Sequence, residues 1–328
     1  MIKVGTIGTG FIVEWFLTSV ADNDGIECVA IYSRSETKGR KLADKFHVKK
    51  VYTDFDTMLK DDDINFIYVA SPNSLHFEYT LESLNKGKNV ITEKPFTTTV
   101  AEAELLINTA KAKKLFLFEA ITTIYMPNFH LIQEKLDLLG RIHMVQCNFS
   151  QYSSRYDKLL NGEVTNVFNP AFGGGALVDI NIYNLHFCCG LFGIPDDIHY
   201  YANKWANGID TSGVLILTYP DFYCSCVGAK DSNSQNLTQI QGEKGYIQVN
   251  KETSMCRGVH VKTKEIDEEY ELQDKMISLY YEVGAFVKMF ENNDYQSCYQ
   301  KLDYTKQVVE LLVKARASAN IVFTNKTI

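Results

Sequence analysis

Three stretches of this 328-residue sequence have residue types and spacing that could do chemistry. The first is Gly8-Thr9-Gly10-Phe11-Ile12, directly after the apolar run Ile2 to Ile7. A Gly-x-Gly turn between a strand and a helix lets the backbone approach a pyrophosphate and aims the helix's free N–H groups and positive dipole end at its charge. Val13 stands at the third glycine position of Gly-x-Gly-x-x-Gly, so the fingerprint is partial. The second stretch is Ser33-Arg34, after the run Glu27 to Tyr32. An acidic residue here would hold the ribose 2′-hydroxyl of NAD, whereas a hydroxyl and a guanidinium suit a 2′-phosphate, whose oxygens match the fork of Arg donors. NADP is the expected cofactor, with NAD left open. The third is Gly173-Gly174-Gly175 and the helix-spaced residues after it, where Asp179 and Tyr183 fall one turn apart on one face with His186 close to that face.

The elements that must hold these residues alternate. A helix is predicted from near Ile12, carrying Trp15, Phe16 and Val20 inward. Helical spacing over Glu36 to Phe46 follows, then Val51-Tyr52 and a short helix over Asp54 to Lys60. The strand Asn65 to Ala70 ends in Ser71-Pro72-Asn73, with His76 opening the next helix. The strand Asn89 to Thr92 ends at Glu93-Lys94-Pro95. Helix Ala101 to Lys113 and strand Leu115 to Glu119 complete the pattern. Such alternation predicts an α/β fold with a doubly wound parallel sheet of Rossmann type over residues 1–120, and a ligand at the carboxyl ends of its strands. Each polar motif falls at one of those ends.

Gly8-Thr9-Gly10, Ser71-Pro72-Asn73 with His76, and above all Glu93-Lys94-Pro95 after a Val-Ile strand resemble the Gfo/Idh/MocA oxidoreductases. In that family the lysine of Glu-Lys-Pro sits beside the nicotinamide and the substrate hydroxyl, a role the resemblance assigns to Lys94. Asp179 and Tyr183 also match, since members carry Gly-Gly-Gly-x-Leu-x-Asp-x-Gly-x-Tyr or a variant ending in His. The Tyr form resembles the branch that includes glucose–fructose oxidoreductase and dihydrodiol dehydrogenase. It gives Tyr183 the acid/base position and makes an inositol substrate less expected. Asn181 replaces the usual glycine, and His186 reads as a packed helix residue before a second acid. Members often place an aromatic and an arginine after the Glu-Ala pair, where this chain reads Ile121-Thr122-Thr123-Ile124-Tyr125.

The second domain is expected over residues 121–328, for substrate binding and oligomerisation, as an α+β unit with a large open, mostly antiparallel sheet. Pro127 to Leu139 reads as a helix, Ile142 to Gln151 as a strand and Asn161 to Phe172 as a loop. Alternating strands follow over Ile198–Trp205, Gly213–Tyr219, Phe222–Gly228, Leu237–Gly242, Tyr246–Val249, Val259–Thr263 and Glu269–Leu272. Helices near Lys275 to Glu291 and Asp303 to Ser318 close the chain, the last expected to pack back on the first domain. Both faces of the strand Val214 to Tyr219 are apolar, which predicts a homodimer or homotetramer.

A net charge of −7 with no Lys/Arg cluster argues against a nucleic-acid surface. No apolar run reaches the ~20 residues that span a membrane, and no signal peptide is evident, so a cytoplasmic protein is expected. The eight cysteines form no Cys-x-x-Cys pair and read as free thiols. Cys224 and Cys226 share a strand face, but no His or acid lies near, and no metal is expected. The Asn-x-Ser/Thr triplets at Asn148, Asn236 and Asn325 carry no weight without secretion.

A phenol near pKa 10 is a poor base at neutral pH, so an ammonium such as Lys94 is needed to favour the phenolate of Tyr183. Asp179 would orient a substrate hydroxyl or Lys94. The expected activity is hydride transfer between a nicotinamide and a carbon of a sugar, polyol or diol. The alternative is a non-catalytic NADP- and sugar-binding sensor, which has no need of Lys94, Asp179 and Tyr183 together.

Overall fold

A computed structural model describes residues 1–324; the Asn325 triplet lies outside them. The chain divides into two compact units, Met1–Ala120 with Leu279–Val309, and Ile121–Ser278 with residues from Glu310 onward.

The first unit runs β1 (Ile2–Ile7), α1 (Phe11–Ala21), β2 (Ile26–Tyr32), α2 (Glu36–Phe46), β3 (Lys50–Tyr52), α3 (Phe55–Leu59), β4 (Phe66–Val69), α4 (His76–Asn85), β5 (Asn89–Glu93), α5 (Val100–Lys113) and β6 (Leu117–Ala120). All strand pairs are parallel, in the order β3-β2-β1-β4-β5-β6. The order reverses between β1 and β4, the crevice where such sheets bind dinucleotides. The strands are rich in hydrophobic residues, as expected where helices cover both faces; Val4, Ile67, Val90 and Ile91 are wholly buried. Thr99 and Glu102 form a capping box that starts α5.

In α1 the buried apolar positions are Val13, Phe16, Leu17 and Val20, while Trp15 is 45% exposed and packs edge-on against exposed Phe11. The expectation for Trp15 was therefore wrong. Phe16 stacks on Tyr68 of β4 at 3.7 Å between centroids, and position 15 lies about 100° around the helix from it.

The second unit carries α6 (Pro127–Lys135), β7 (Ile142–Ser150), α7 (Ser154–Leu160), a π-helical turn (Leu177–Asn181) that runs directly into α8 (Ile182–Phe192), and β8 (Asp197–Lys204), β9 (Asp210–Thr218), β10 (Tyr223–Ala229), β11 (Leu237–Gly242), β12 (Gly245–Val249), β13 (Val259–Thr263) and β14 (Asp267–Tyr270). These eight strands form one sheet, β14-β13-β12-β11-β7-β10-β9-β8, antiparallel except for β7 beside β10. The last strand begins two residues before the expected position. Its register pairs Lys262 with Asp267, an ion pair that the apolar pattern did not reveal, and Leu272 is left exposed.

Cross-strand register decides which face is core. Leu215, Leu217, Cys224, Cys226, Val145, Cys147 and Ile240 are buried on one side. On the other, Val214 and Ile216 are half-buried beside exposed Tyr201 and Tyr223.

Two helices close the chain, α9 (Leu279–Glu291) and α10 (Tyr295–Ser318), the latter starting eight residues earlier than its apolar pattern suggests. Phe286 of α9 stacks on Phe118 at 4.5 Å, and Phe290 sets its edge against Phe66 and Phe116. Burying one such side chain contributes roughly 1.5–3 kcal/mol.

Candidate active site

In the first unit the expected residues gather at the carboxyl ends of β2, β1, β4 and β5, which are consecutive in the sheet. Gly8 has φ +110°, and a Cβ there would lie 2.8 Å from the Ala70 carbonyl, so only glycine fits. Gly10 caps α1 with no side-chain bond, and nothing lies within 4 Å of where its Cβ would be. That open space and the uncapped N–H groups of an eleven-residue helix fit a pyrophosphate. Thr9 and Ile12 are partly accessible at the same turn, and buried Val13 fills the place of the third glycine.

Ser33 and Arg34 divide the work at the end of β2. The Ser33 hydroxyl donates to the Ser35 carbonyl at 2.9 Å and accepts from the Ser35 amide at 3.2 Å, so it is engaged in building the turn. Arg34 is exposed on that turn.

Ser71, Pro72 and Asn73 are partly accessible after β4, but His76 is buried. Its Nδ1 lies 2.9 Å from the Pro95 carbonyl and its Nε2 3.0 Å from the Ser71 carbonyl. Burial depresses the imidazole pKa, against the pull of the two carbonyls and helped by Lys94. The ring thus braces the β4 loop against the Glu93-Lys94-Pro95 loop.

Glu93 also points inward. Its carboxyl accepts from the Tyr68 hydroxyl at 2.5 Å, and burial raises its pKa to about 6 against the opposing effects of Tyr68 and Lys94. Lys94, followed by a cis peptide to Pro95, is the one residue from Val90 to Thr97 that is not buried. Glu119 holds the far side of the loop, accepting from the Phe96 amide at 3.2 Å and the Thr305 hydroxyl of α10 at 2.8 Å.

Burial pushes the Glu119 pKa up to about 7. The folded protein therefore holds this proton more tightly than the unfolded chain does, a contribution to stability that is present in acid and lost as pH rises through about 7. Glu119→Gln mimics the protonated group at every pH. It should gain up to ~3 kcal/mol on the unaltered protein between pH 5 and pH 8, at about 1.36 kcal/mol per tenfold change in proton affinity. Urea denaturation at the two pH values measures this, and a constant difference would refute it.

In the second unit the three glycines let the backbone approach its neighbours. A Cβ on Gly174 would lie 2.3 Å from the Val167 carbonyl, and one on Gly175, at φ +111°, 2.0 Å from Asp210. Asp210 accepts from the Leu177 amide at 2.6 Å and the Tyr200 hydroxyl at 2.8 Å, capping the π-helical turn. π-helical turns recur at functional sites. Asn181, at the usual glycine position, donates to the Cys226 carbonyl at 2.9 Å, an approach that leaves no room for a side chain at Gly228.

From Gly173 to Cys189 every residue is buried except Asp179 and Tyr183. The Tyr183 ring tilts against Phe149 at 6.1 Å, and His186 is fully buried. Asp179 forms an ion pair with Lys230, at the end of β10, whose side chain is only 9% exposed. Sequence reasoning missed Lys230, because nothing in the spacing of residues 179 and 230 joins them. The Thr122 and Thr123 hydroxyls donate to the Ser254 and Thr253 carbonyls at 3.2 Å.

Cys147, Cys188 and Cys226 bring their buried thiols together, with neighbouring sulfurs 3.8 and 3.9 Å apart. The sequence suggested only the pair on β10. All eight cysteines are free.

The family model described as an oxidoreductase family with an NAD-binding Rossmann fold matches residues 2–120, and the GFO/IDH/MocA C-terminal domain model matches residues 131–248. The chain is 38% identical over 259 residues to the uncharacterised oxidoreductase YgjR of Escherichia coli strain K12, covering 79% of each chain. It is 32% identical over 326 residues, 98% of each chain, to the scyllo-inositol 2-dehydrogenase (NADP(+)) IolU of Bacillus subtilis strain 168. Among solved structures, the 3-ketoreductase KijD10 of Actinomadura kijaniata, crystallised with NADP and TDP-benzene, has the same fold, with a TM-score of 0.84 at 21% identity over 97% of each chain. The chain, with its glycine turn at the sheet's switch point and Lys94 after β5, belongs to the GFO/IDH/MocA family of oxidoreductases.

Proposed function

We propose that this NAD(P)-dependent oxidoreductase acts on a CH–OH carbon of a sugar, polyol or diol, with NADP preferred. The nicotinamide takes up or gives back the hydride. Tyr183 exchanges the proton on the substrate oxygen, Lys94 favours its phenolate, and Asp179 accepts from a substrate hydroxyl. The Gly8–Ile12 turn cradles the pyrophosphate and Arg34 holds the 2′-phosphate.

One observation carries this reading: within otherwise buried stretches, the accessible residues are Asp179 and Tyr183 in the second unit and Lys94 in the first. Their buried neighbours in sequence hold the backbone that carries them, which suits general acid–base work. IolU is named for a cyclitol substrate, so cyclitols belong in the test despite the tyrosine at position 183. The test is a screen of sugars, cyclitols and diols with NADP and NAD, following nicotinamide absorbance. Reduction of NADP by at least one polyol is expected. No turnover of any substrate by protein that binds NADP would favour the sensor reading.

The open face of the eight-stranded sheet supports a homo-oligomer, because exposed Tyr201 lies beside half-buried Val214, with half-buried Ile216 and exposed Tyr223 on the same face. Light scattering at micromolar concentration should give a multiple of 37.3 kDa; the monomer mass would refute this.

A further inference from the structure

We propose that Lys230 is a positioning residue for the substrate. Its ammonium holds the Asp179 carboxylate in place through their ion pair, so that the carboxylate accepts from a hydroxyl of an uncharged polyol. This rests on the functional reading above.

Two observations support it. The backbone that carries the lysine is held on both sides. The Lys230 amide donates to the Thr211 carbonyl at 2.9 Å and its carbonyl accepts from the Ser153 amide at 2.9 Å, while the next residue, Asp231, accepts from the Thr211 and Ser212 hydroxyls at 2.7 and 2.8 Å. The pair is also asymmetric in exposure, with the Lys230 side chain at 9% and that of Asp179 at 34%. The lysine therefore stands behind and the carboxylate in front.

The pair carries no net charge, so it suits a neutral hydroxylated substrate. An acidic sugar would bring its own carboxylate up to that of Asp179. Removing the amine would take away the ion pair that holds the Asp179 carboxylate in place, so the carboxylate could turn aside.

The test uses the full-length protein with NADP and the polyol found by the screen. Lys230→Met, Lys230→Arg, Asp179→Asn and the double variant Asp179→Asn/Lys230→Met are compared, with NADP titration giving the competent fraction. Lys230→Met should raise KM for the polyol by about tenfold or more, the size of one charge-assisted hydrogen bond, with NADP affinity unchanged. Lys230→Arg should recover most of that loss. The double variant should be no worse than Asp179→Asn, since both changes break one contact.

If Lys230→Met does not fold, the double variant, which removes both charges of the pair, decides the matter against Asp179→Asn. An additional tenfold loss in it would overturn the proposal. So would an unchanged KM in Lys230→Met, altered NADP affinity, or a fall in turnover that only follows the competent fraction. Failure of the unaltered protein to bind any polyol would overturn the functional reading and this proposal with it.

Discussion

Tyr183→Phe is expected to leave NADP affinity nearly unchanged and to lower turnover by ~10²–10⁴-fold, the usual contribution of general acid–base catalysis. Phenylalanine keeps the ring that packs against Phe149 and removes only the proton-bearing oxygen, so the change should appear in kcat with little effect on stability. Lys94→Ala should be comparably severe, because the role proposed for Lys94 is to favour the ionised form of the phenol. The two losses should not multiply, since the proposed roles serve one proton transfer. Binding and turnover must be measured on the same preparations. Full turnover in Tyr183→Phe would refute the assignment. His186 is a poor substitute, because its ring is buried completely and would need the helix to move before it met a substrate.

Arg34→Ala is expected to abolish most of a preference for NADP over NAD. A charge-assisted contact contributes roughly 1.5–3 kcal/mol, or about 10- to 100-fold in affinity. The structure sharpens this expectation: the Ser33 hydroxyl is held by the Ser35 backbone, so Ser33 shapes the turn and Arg34 supplies the charge. Ser33→Ala should accordingly disturb the preference less than Arg34→Ala. Direct titration of both cofactors checks this, and equal dissociation constants for NADP and NAD in the unaltered protein would refute it. Salt should weaken the preference, because Arg34 is exposed and its attraction to phosphate is screened.

Much of the molecule was legible in the sequence because the signals are local. A strand followed by Gly-x-Gly, the alternation of strands and helices, and Glu93-Lys94-Pro95 at a strand end specify the parallel sheet and the side on which it binds. The glycine run before Asp179 and Tyr183 marked a helix start, although not its π-helical form or the Asp210 carboxylate from another strand that accepts from its first amide. Tertiary structure decided what distant residues do to one another. It turned Glu93 and His76 inward as braces, because Tyr68 and the Ser71 and Pro95 carbonyls supply partners that only the packed sheet brings near. It left Trp15 at the surface and chose Leu215 and Leu217 over Val214 and Ile216 for the core, since two apolar strand faces look alike until a helix covers one. It also paired Lys230 with Asp179 across 51 positions of chain, a contact that exists only because β10 ends beside the helix carrying the carboxylate.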